Sequence, residues 1–198
     1  MSTTHLLYLH GFRSSPASTK AQMTAQAVAQ RYPAVTWLCP ALPPSPREAM
    51  AQVERAIAHW PHDRMAIIGS SLGGFYATYL AEKIGCKAIL LNPAVHPARD
   101  LAAHLGDNTQ WHDPQQHFAF TQVHVEELRG LEVPAISLAE RYFAVIAKGD
   151  EVLDWREMCG QYRGAMVKLL AGGDHALSDY AQHLDQVLGF CGLTGALS

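Results

Sequence analysis

Gly69-Ser70-Ser71-Leu72-Gly73, followed at once by Gly74, sets Ser71 between glycines two residues away on either side. A serine hydroxyl is a poor nucleophile near neutral pH. It needs a base within hydrogen-bond reach and an acid that orients the base. The chain supplies both farther on. Lys148-Gly149-Asp150-Glu151 follows the apolar run Tyr142–Ala147, and Gly172-Gly173-Asp174-His175 follows Met166–Leu170. The chemistry these residues would perform together is acyl transfer. Ser71 attacks a carbonyl carbon, His175 takes the serine proton and later returns it, and Asp150 fixes the imidazole tautomer. The negative charge that develops on the carbonyl oxygen needs two backbone N–H donors. Leu72, directly after Ser71, and Phe12, in the loop Leu9-His10-Gly11-Phe12, are the expected ones.

The string G-x-S-x-G carries weight only in the right setting. Here an apolar run over 65–68 leads in and a helical pattern from Phe75 leads out, the strand–turn–helix context of a nucleophile elbow. Side chains at 69 and 73 would clash with neighbouring backbone in so tight a turn. Ser71 would adopt a strained conformation at a helix N-terminus, where the dipole favours negative charge. A Gly-rich turn that binds an anion would explain the same string without catalysis. Asp150 has rivals: Asp154 is expected to cap a helix with Glu157 at the capping-box distance. Glu151 would point away from Asp150 in an extended segment. Asp174 would brace its own loop. His175 is one of 11 histidines, distinguished by following the last apolar run in a Gly-rich loop with a helix to come.

These residues need a scaffold that brings three distant segments together. Apolar runs over 6–9, 35–38, 65–69, 87–91, 142–147 and 166–170 read as strands, several of them apolar throughout, as in strands covered on both faces. Between them lie helical patterns. Residues 18–31 are rich in Ala and Gln. Ser45-Pro46-Arg47-Glu48 is a capping box with proline at the first helical position. It opens a stripe of Met50, Val53, Ile57 and Trp60. Leu72 to Ile84 is ended by Gly85. Tyr180, Leu184, Val187 and Leu188 mark the last helix. This alternation predicts a parallel sheet with right-handed crossovers. Residues 93–139 break the rhythm, with no clear strand and many histidines and aromatics, so a small lid insertion at about 96–139 is expected. Trp111, Phe118 and Phe120 are candidates for the wall of a substrate pocket, or for packing beneath the lid. His96, His104, His112, His117 and His124 lack the compact helical pair with an adjacent acid that a metal site would show, so no metal is expected.

Composition narrows the function classes. Of 198 residues, 48% are hydrophobic and 17% charged, with a net charge of −3, which suits one globular domain over 1–198. No dense basic cluster suggests a nucleic-acid partner. Cys39, Cys86, Cys159 and Cys191 form no C-x-x-C pair and fit buried thiols in a reducing compartment. The first residues lack a basic, apolar leader, and no apolar run approaches the roughly 18 residues needed to span a bilayer. A cytoplasmic location is the expectation.

The runs Tyr8-Leu9-His10-Gly11-Phe12, Ser14-Ser15-Pro16, Gly69 to Gly74, Leu91-Asn92-Pro93-Ala94-Val95, Gly149 to Asp154 and Gly172 to Ala176 together resemble the small YqiA-type esterases, and the resemblance spans nearly the whole chain. It implies an α/β fold: a trimmed α/β-hydrolase of about six mostly parallel strands, with helices on both faces. It also implies hydrolysis of simple or short-chain carboxylic esters without a cofactor, with Ser71, Asp150 and His175 at the matching nucleophile, acid and base positions. The same triad would serve an acyl-CoA thioesterase, so the expected partner is a small acyl ester or thioester. A non-catalytic hydrolase-fold binding protein is the rival from another class; such proteins usually lack a triad member, and here all are present. The oligomeric state is left open.

Overall fold

A computed structural model describes residues 2–111 and 113–193. The elements run β1 (His5–Leu9), α1 (Thr19–Arg31), β2 (Thr36–Leu38), α2 (Pro46–Ala56), β3 (Met65–Ser70), α3 (Leu72–Ile84) and β4 (Lys87–Leu91). There follow α4 (Pro97–Asp100), β5 (Gly106–Thr109), β6 (His117–Phe120) and α5 (Gln122–Gly130). The chain ends with β7 (Tyr142–Ala147), α6 (Trp155–Gln161), β8 (Met166–Leu170) and α7 (Leu184–Phe190). All six strands read from the sequence are present. They form one sheet in the order β2-β1-β3-β4-β7-β8, with every neighbouring pair parallel.

The period of two in each strand divides its side chains between two cores. Leu7, Leu9, Ile67, Leu90, Ala144 and Ile146 face one side, under Met50 and Val53 of α2, Phe75 and Leu80 of α3, Leu128 of α5 and Met158 of α6. Leu6, Tyr8, Ile68, Ile89, Phe143 and Val145 face the other, under Ala21 and Val28 of α1 and Val187 and Leu188 of α7. The inner strands are therefore apolar on both faces, which is why their sequences read as unbroken hydrophobic runs. β8 lies at an edge, and its Met166, Val167 and Leu169 remain exposed.

Strand order reverses between β1 and β3. The chain first adds β2 on one side of β1 and then builds β3, β4, β7 and β8 on the other. The loops leaving the C-terminal ends of β1 and β3 diverge at this point and open a crevice, the usual ligand position in such sheets. The loop after β1 carries Gly11 and Phe12; the turn after β3 carries Ser71.

The segment between β4 and β7 is more regular than its sequence suggests. β5 and β6 pair as an antiparallel hairpin, joined to the body by α5. The strands escape a hydrophobicity search because β5 reads Gly-Asp-Asn-Thr and each strand is only four residues long. A second correction concerns the end of the chain, where a short 3-10 turn, Tyr180–Gln182, precedes α7 instead of continuing into it.

Ser45 caps α2 as expected, its Oγ accepting from Glu48 N at 3.2 Å. It also donates to Glu127 Oε2 of α5 at 2.7 Å, and Arg47 pairs with the same carboxylate at 3.1 Å. One side chain thus starts a helix and fastens another. Ser45→Ala is expected to lower stability by roughly 1–2 kcal/mol, as cap losses do. A urea melt checks this, and a loss confined to a few tenths would show that the α5 contact adds nothing.

Candidate active site

Ser71 occupies the junction of β3 and α3 with φ 55° and ψ −120°, a conformation that L-residues seldom take. The surrounding backbone holds it there. Ser71 N donates to Leu91 O at 2.9 Å, and Ser71 O accepts from Gly74 N at 2.8 Å and Ala94 N at 3.0 Å. The flanking glycines are required by space: a Cβ on Gly69 would lie 2.2 Å from Gly73 O, and one on Gly73 would lie 2.0 Å from Leu9 O. Strain at such a residue persists only where neighbouring structure over-determines it.

His175 and Asp150 reach this serine from the ends of β8 and β7. His175 Nε2 lies 3.0 Å from Ser71 Oγ, and His175 Nδ1 lies 2.8 Å from Asp150 Oδ2. A carboxylate can only accept, so Nδ1 carries the proton and Nε2 is free to accept from the serine hydroxyl. Asp150 is itself held, its Oδ1 accepting from Val152 N and Leu153 N, each at 2.8 Å. Its side chain is fully buried, while that of His175 keeps about a fifth of its surface open.

The rival acids have other tasks. Asp154 caps α6 through Arg156 N, but Glu157 does not close the capping box. Instead both Glu157 oxygens take the Arg99 guanidinium, at 2.8 and 2.7 Å, which holds the carboxyl below its ordinary pKa. Asp174 braces its loop by accepting from Ser178 N and Oγ. Glu151 departs from expectation. The chain turns at Asp150, whose N donates to Ala147 O, so the two acids do not diverge as in a strand, and Glu151 Oε2 accepts from His175 N at 3.0 Å. Asp150 thus holds the imidazole and Glu151 the backbone of the same residue.

Two further residues shape the site without having been singled out from sequence. Asn92 is fully buried just past β4, at φ 42°. Its Nδ2 donates to Asp174 O at 2.9 Å and His175 O at 3.2 Å, and its Oδ1 accepts from Ala147 N at 2.8 Å. One amide thereby ties the end of β4 to the end of β7 and to the histidine loop. A buried asparagine directly after an apolar strand was the available signal. The other is His10, whose Nε2 accepts from Leu42 N at 3.1 Å. Its Nδ1 therefore carries the proton toward Gly11 O, 3.0 Å away. Burial lowers its pKa and favours this neutral form.

Gly11 has a spatial role and needs no unusual φ. A Cβ there would meet Ser71 Cβ at 3.2 Å and Ser70 O at 3.3 Å. The left-handed residue of this loop is Arg13, at φ 60°. Its guanidinium donates to Thr109 O and lies 4.1 Å over the Trp111 ring, tying the loop to the hairpin. Phe12 and Leu72 both border a cavity of about 460 Å³, and Leu72 begins α3, where the first N–H groups have no acceptor within the helix. Phe118 lines the same cavity. Trp111 lines a second one of about 470 Å³, together with Ser71 and His175. Phe120 lines neither; it is buried against Phe12, ring centroids 5.1 Å apart, and holds the hairpin down. Of the histidines between β4 and β7, His112 lies outside the described residues, and among the described residues no cluster of three His, Cys, Asp or Glu is placed to hold a metal ion. No helix among them is long and apolar enough to cross a membrane.

This sheet, with its serine turn and converging loops, defines the α/β-hydrolase fold. Est1E of Butyrivibrio proteoclasticus, solved with bound ferulic acid, matches with a TM-score of 0.66 at 13% identity, over 96% of this chain and 87% of that one. The ydeN gene product of B. subtilis matches with a TM-score of 0.67 at 15% identity, over 95% and 98% of the two chains. Alpha/beta hydrolase domain-containing protein 10 from mouse gives 0.68 at 13% identity, over 95% and 90%. Within this fold the chain belongs to the uncharacterised protein family UPF0227, which matches residues 5–192. A UPF0227 protein of Pectobacterium carotovorum subsp. carotovorum is 21% identical over 188 residues, 93% of this chain and 97% of the relative. The resemblance to YqiA-type proteins therefore holds at the level of family and fold.

Asn92→Ala removes three hydrogen bonds at once and leaves buried partners unsatisfied. It is expected to cost roughly 2–4 kcal/mol and to speed amide exchange in residues 172–177; unchanged exchange there would show that the loop holds itself. His10 yields a pH signature. Its folded pKa lies below the unfolded value, so the unfolded chain binds the extra proton first. Its contribution is complete above about pH 6.5 and is lost as pH falls through the folded pKa. Wild type should lose stability over that acid range, and His10→Gln should lose less. Equal slopes in urea melts at pH 7 and 5 would refute it.

Proposed function

We propose that this chain is a serine-dependent carboxylic ester hydrolase acting on simple or short-chain acyl esters. The observation that carries the proposal is the continuous relay from Ser71 Oγ to His175 Nε2 at 3.0 Å and from His175 Nδ1 to Asp150 Oδ2 at 2.8 Å. As Ser71 attacks the ester carbon, its proton passes to His175 Nε2, and Asp150 steadies the imidazolium. The carbonyl oxygen takes up negative charge beside the Leu72 and Phe12 amides. His175 then protonates the leaving alcohol, and a water repeats the sequence to release the acid.

The two cavities separate the arms of the ester. The leaving oxygen must come within reach of His175 Nε2, so the alcohol portion belongs in the 470 Å³ cavity that His175 lines. The acyl chain then enters the 460 Å³ cavity beside Leu72, whose walls include Leu42, Pro43, Pro44, Tyr76 and Phe118. Arg13, Gln52, Gln110, Gln116 and His117 also line it, and the apolar residues among its walls suit a short hydrocarbon chain. Acyl transfer by this triad needs no metal or organic cofactor.

Ser71→Ala is expected to lower ester kcat by roughly 10⁴- to 10⁶-fold and to abolish labelling by a fluorophosphonate. A panel of short-chain aryl esters and acyl-CoA thioesters checks the class; clear preference for the thioesters would make the enzyme a thioesterase. Ester turnover that survives in Ser71→Ala would overturn the mechanism, and wild-type protein that neither labels nor hydrolyses would be a binding module.

A further inference from the structure

The cavity assigned to the alcohol arm carries a lysine that a simple alcohol does not require. Besides Ser71 and His175, its walls include Lys20 and the hydroxyl residues Ser14, Ser18, Thr19 and Ser178, and among the described residues they contain no Asp, Glu or Arg. Lys20 sits in the first turn of α1, half-buried. Its Nζ donates to Ala176 O, in the loop that follows His175. An ammonium has three donors, so two are left for other partners.

Nearby carboxylates do not occupy those donors. Asp174 and Asp150 act on Lys20 through space, raising its pKa, while burial acts more strongly in the opposite direction. The oxygens of Asp174 are engaged by Ser178 N and Oγ. Those of Asp150 are engaged by Val152 N, Leu153 N and His175 Nδ1. Neither acid lines the cavity. A partly desolvated ammonium without a contacting counter-ion is unfavourable, and an anion placed beside it restores the lost solvation with charge-assisted hydrogen bonds. Among the described residues the cavity offers one lysine and no guanidinium fork, which suits a single negative charge better than a phosphate dianion.

Resting on the esterase reading above, we propose that Lys20, with the hydroxyls of Ser14, Ser18 and Thr19, binds a carboxylate on the alcohol portion of the substrate. The substrate class is then an O-acylated hydroxy acid: the acyl chain lies beside Leu72, and the hydroxy acid leaves from the cavity of His175 with its carboxylate on Lys20.

The test uses the full chain with 4-acetoxybutanoate and 5-acetoxypentanoate, each against its neutral amide. The quantity read is the ratio of kcat/KM for carboxylate to amide, because loss of the Ala176 contact disturbs both substrates alike. Lys20→Met is expected to lower this ratio roughly 10- to 100-fold, the range for hydrogen bonds to charged groups, and Lys20→Arg to restore most of it. Lys20→Gln provides a second neutral variant should Lys20→Met fold poorly. Ester turnover with a ratio unchanged by either neutral substitution refutes the carboxylate site and leaves the esterase standing. Calorimetry of 4-hydroxybutanoate and inorganic phosphate binding to Ser71→Ala, with and without Lys20→Met, works without turnover. Lys20-dependent binding of 4-hydroxybutanoate supports the site even if no ester is cleaved, in which case the esterase reading alone fails. No binding of 4-hydroxybutanoate, or binding of phosphate only, overturns the proposal.

Discussion

Backbone around the turn after β3 passes so close to its neighbours that only hydrogen fits at Gly69, Gly73 and Gly74. Gly73 lies against the carbonyl of Leu9, and Gly69 against the carbonyl of Gly73. This closeness lets the chain reverse from strand to helix within one residue and leaves Ser71 at the apex in a left-handed conformation. The strain is held by three backbone hydrogen bonds at Ser71 and by the β3–β4 ladder directly beneath it. Conformational cost at one residue is offset by the rigidity of a sheet buried on both faces.

The remainder of the site is an exercise in aligning loops from separate strands. Each functional side chain leaves the same edge of the sheet, but loops do not align themselves. Asn92 couples the ends of β4 and β7 to the histidine loop through one amide, and Glu151 fixes the histidine backbone while Asp150 fixes its ring. Lys20 adds a tie from α1 to Ala176. None of these three need touch a reacting atom to matter, since effective catalysis depends on geometry held to a fraction of an ångström.

The hairpin between β4 and β7 acts on the site through the loop after β1. Phe12 packs among His104, Phe118 and Phe120, and Arg13 is held by Thr109 and Trp111. The loop that carries a candidate oxyanion donor is therefore anchored by the hairpin and by the contact of His10 with Leu42. It also forms the wall shared by both cavities. Hairpin packing and cavity shape are consequently coupled, although the hairpin holds neither Ser71 nor its partners.

Sequence by itself determined the six strands, the parallel sheet, the glycine-flanked serine turn and the positions of Asp150 and His175 after β7 and β8. These follow from local physics: apolar runs, turn residues and steric limits act over a few positions. The hairpin was illegible because β5 carries no hydrophobic alternation. Phe120 could be a pocket wall or a core side chain until its neighbours were in place. Glu151 was misdirected because a turn, not a strand, follows Ala147. Asn92 and His10 lie in runs that resemble the family but take no role from them, and Lys20 lies in none, since the roles of all three lie in contacts with residues 82, 32 and 156 positions away. Only the tertiary structure decides such contacts, because hydrogen bonds across loops depend on where strands end in space, and no periodicity along the chain encodes that.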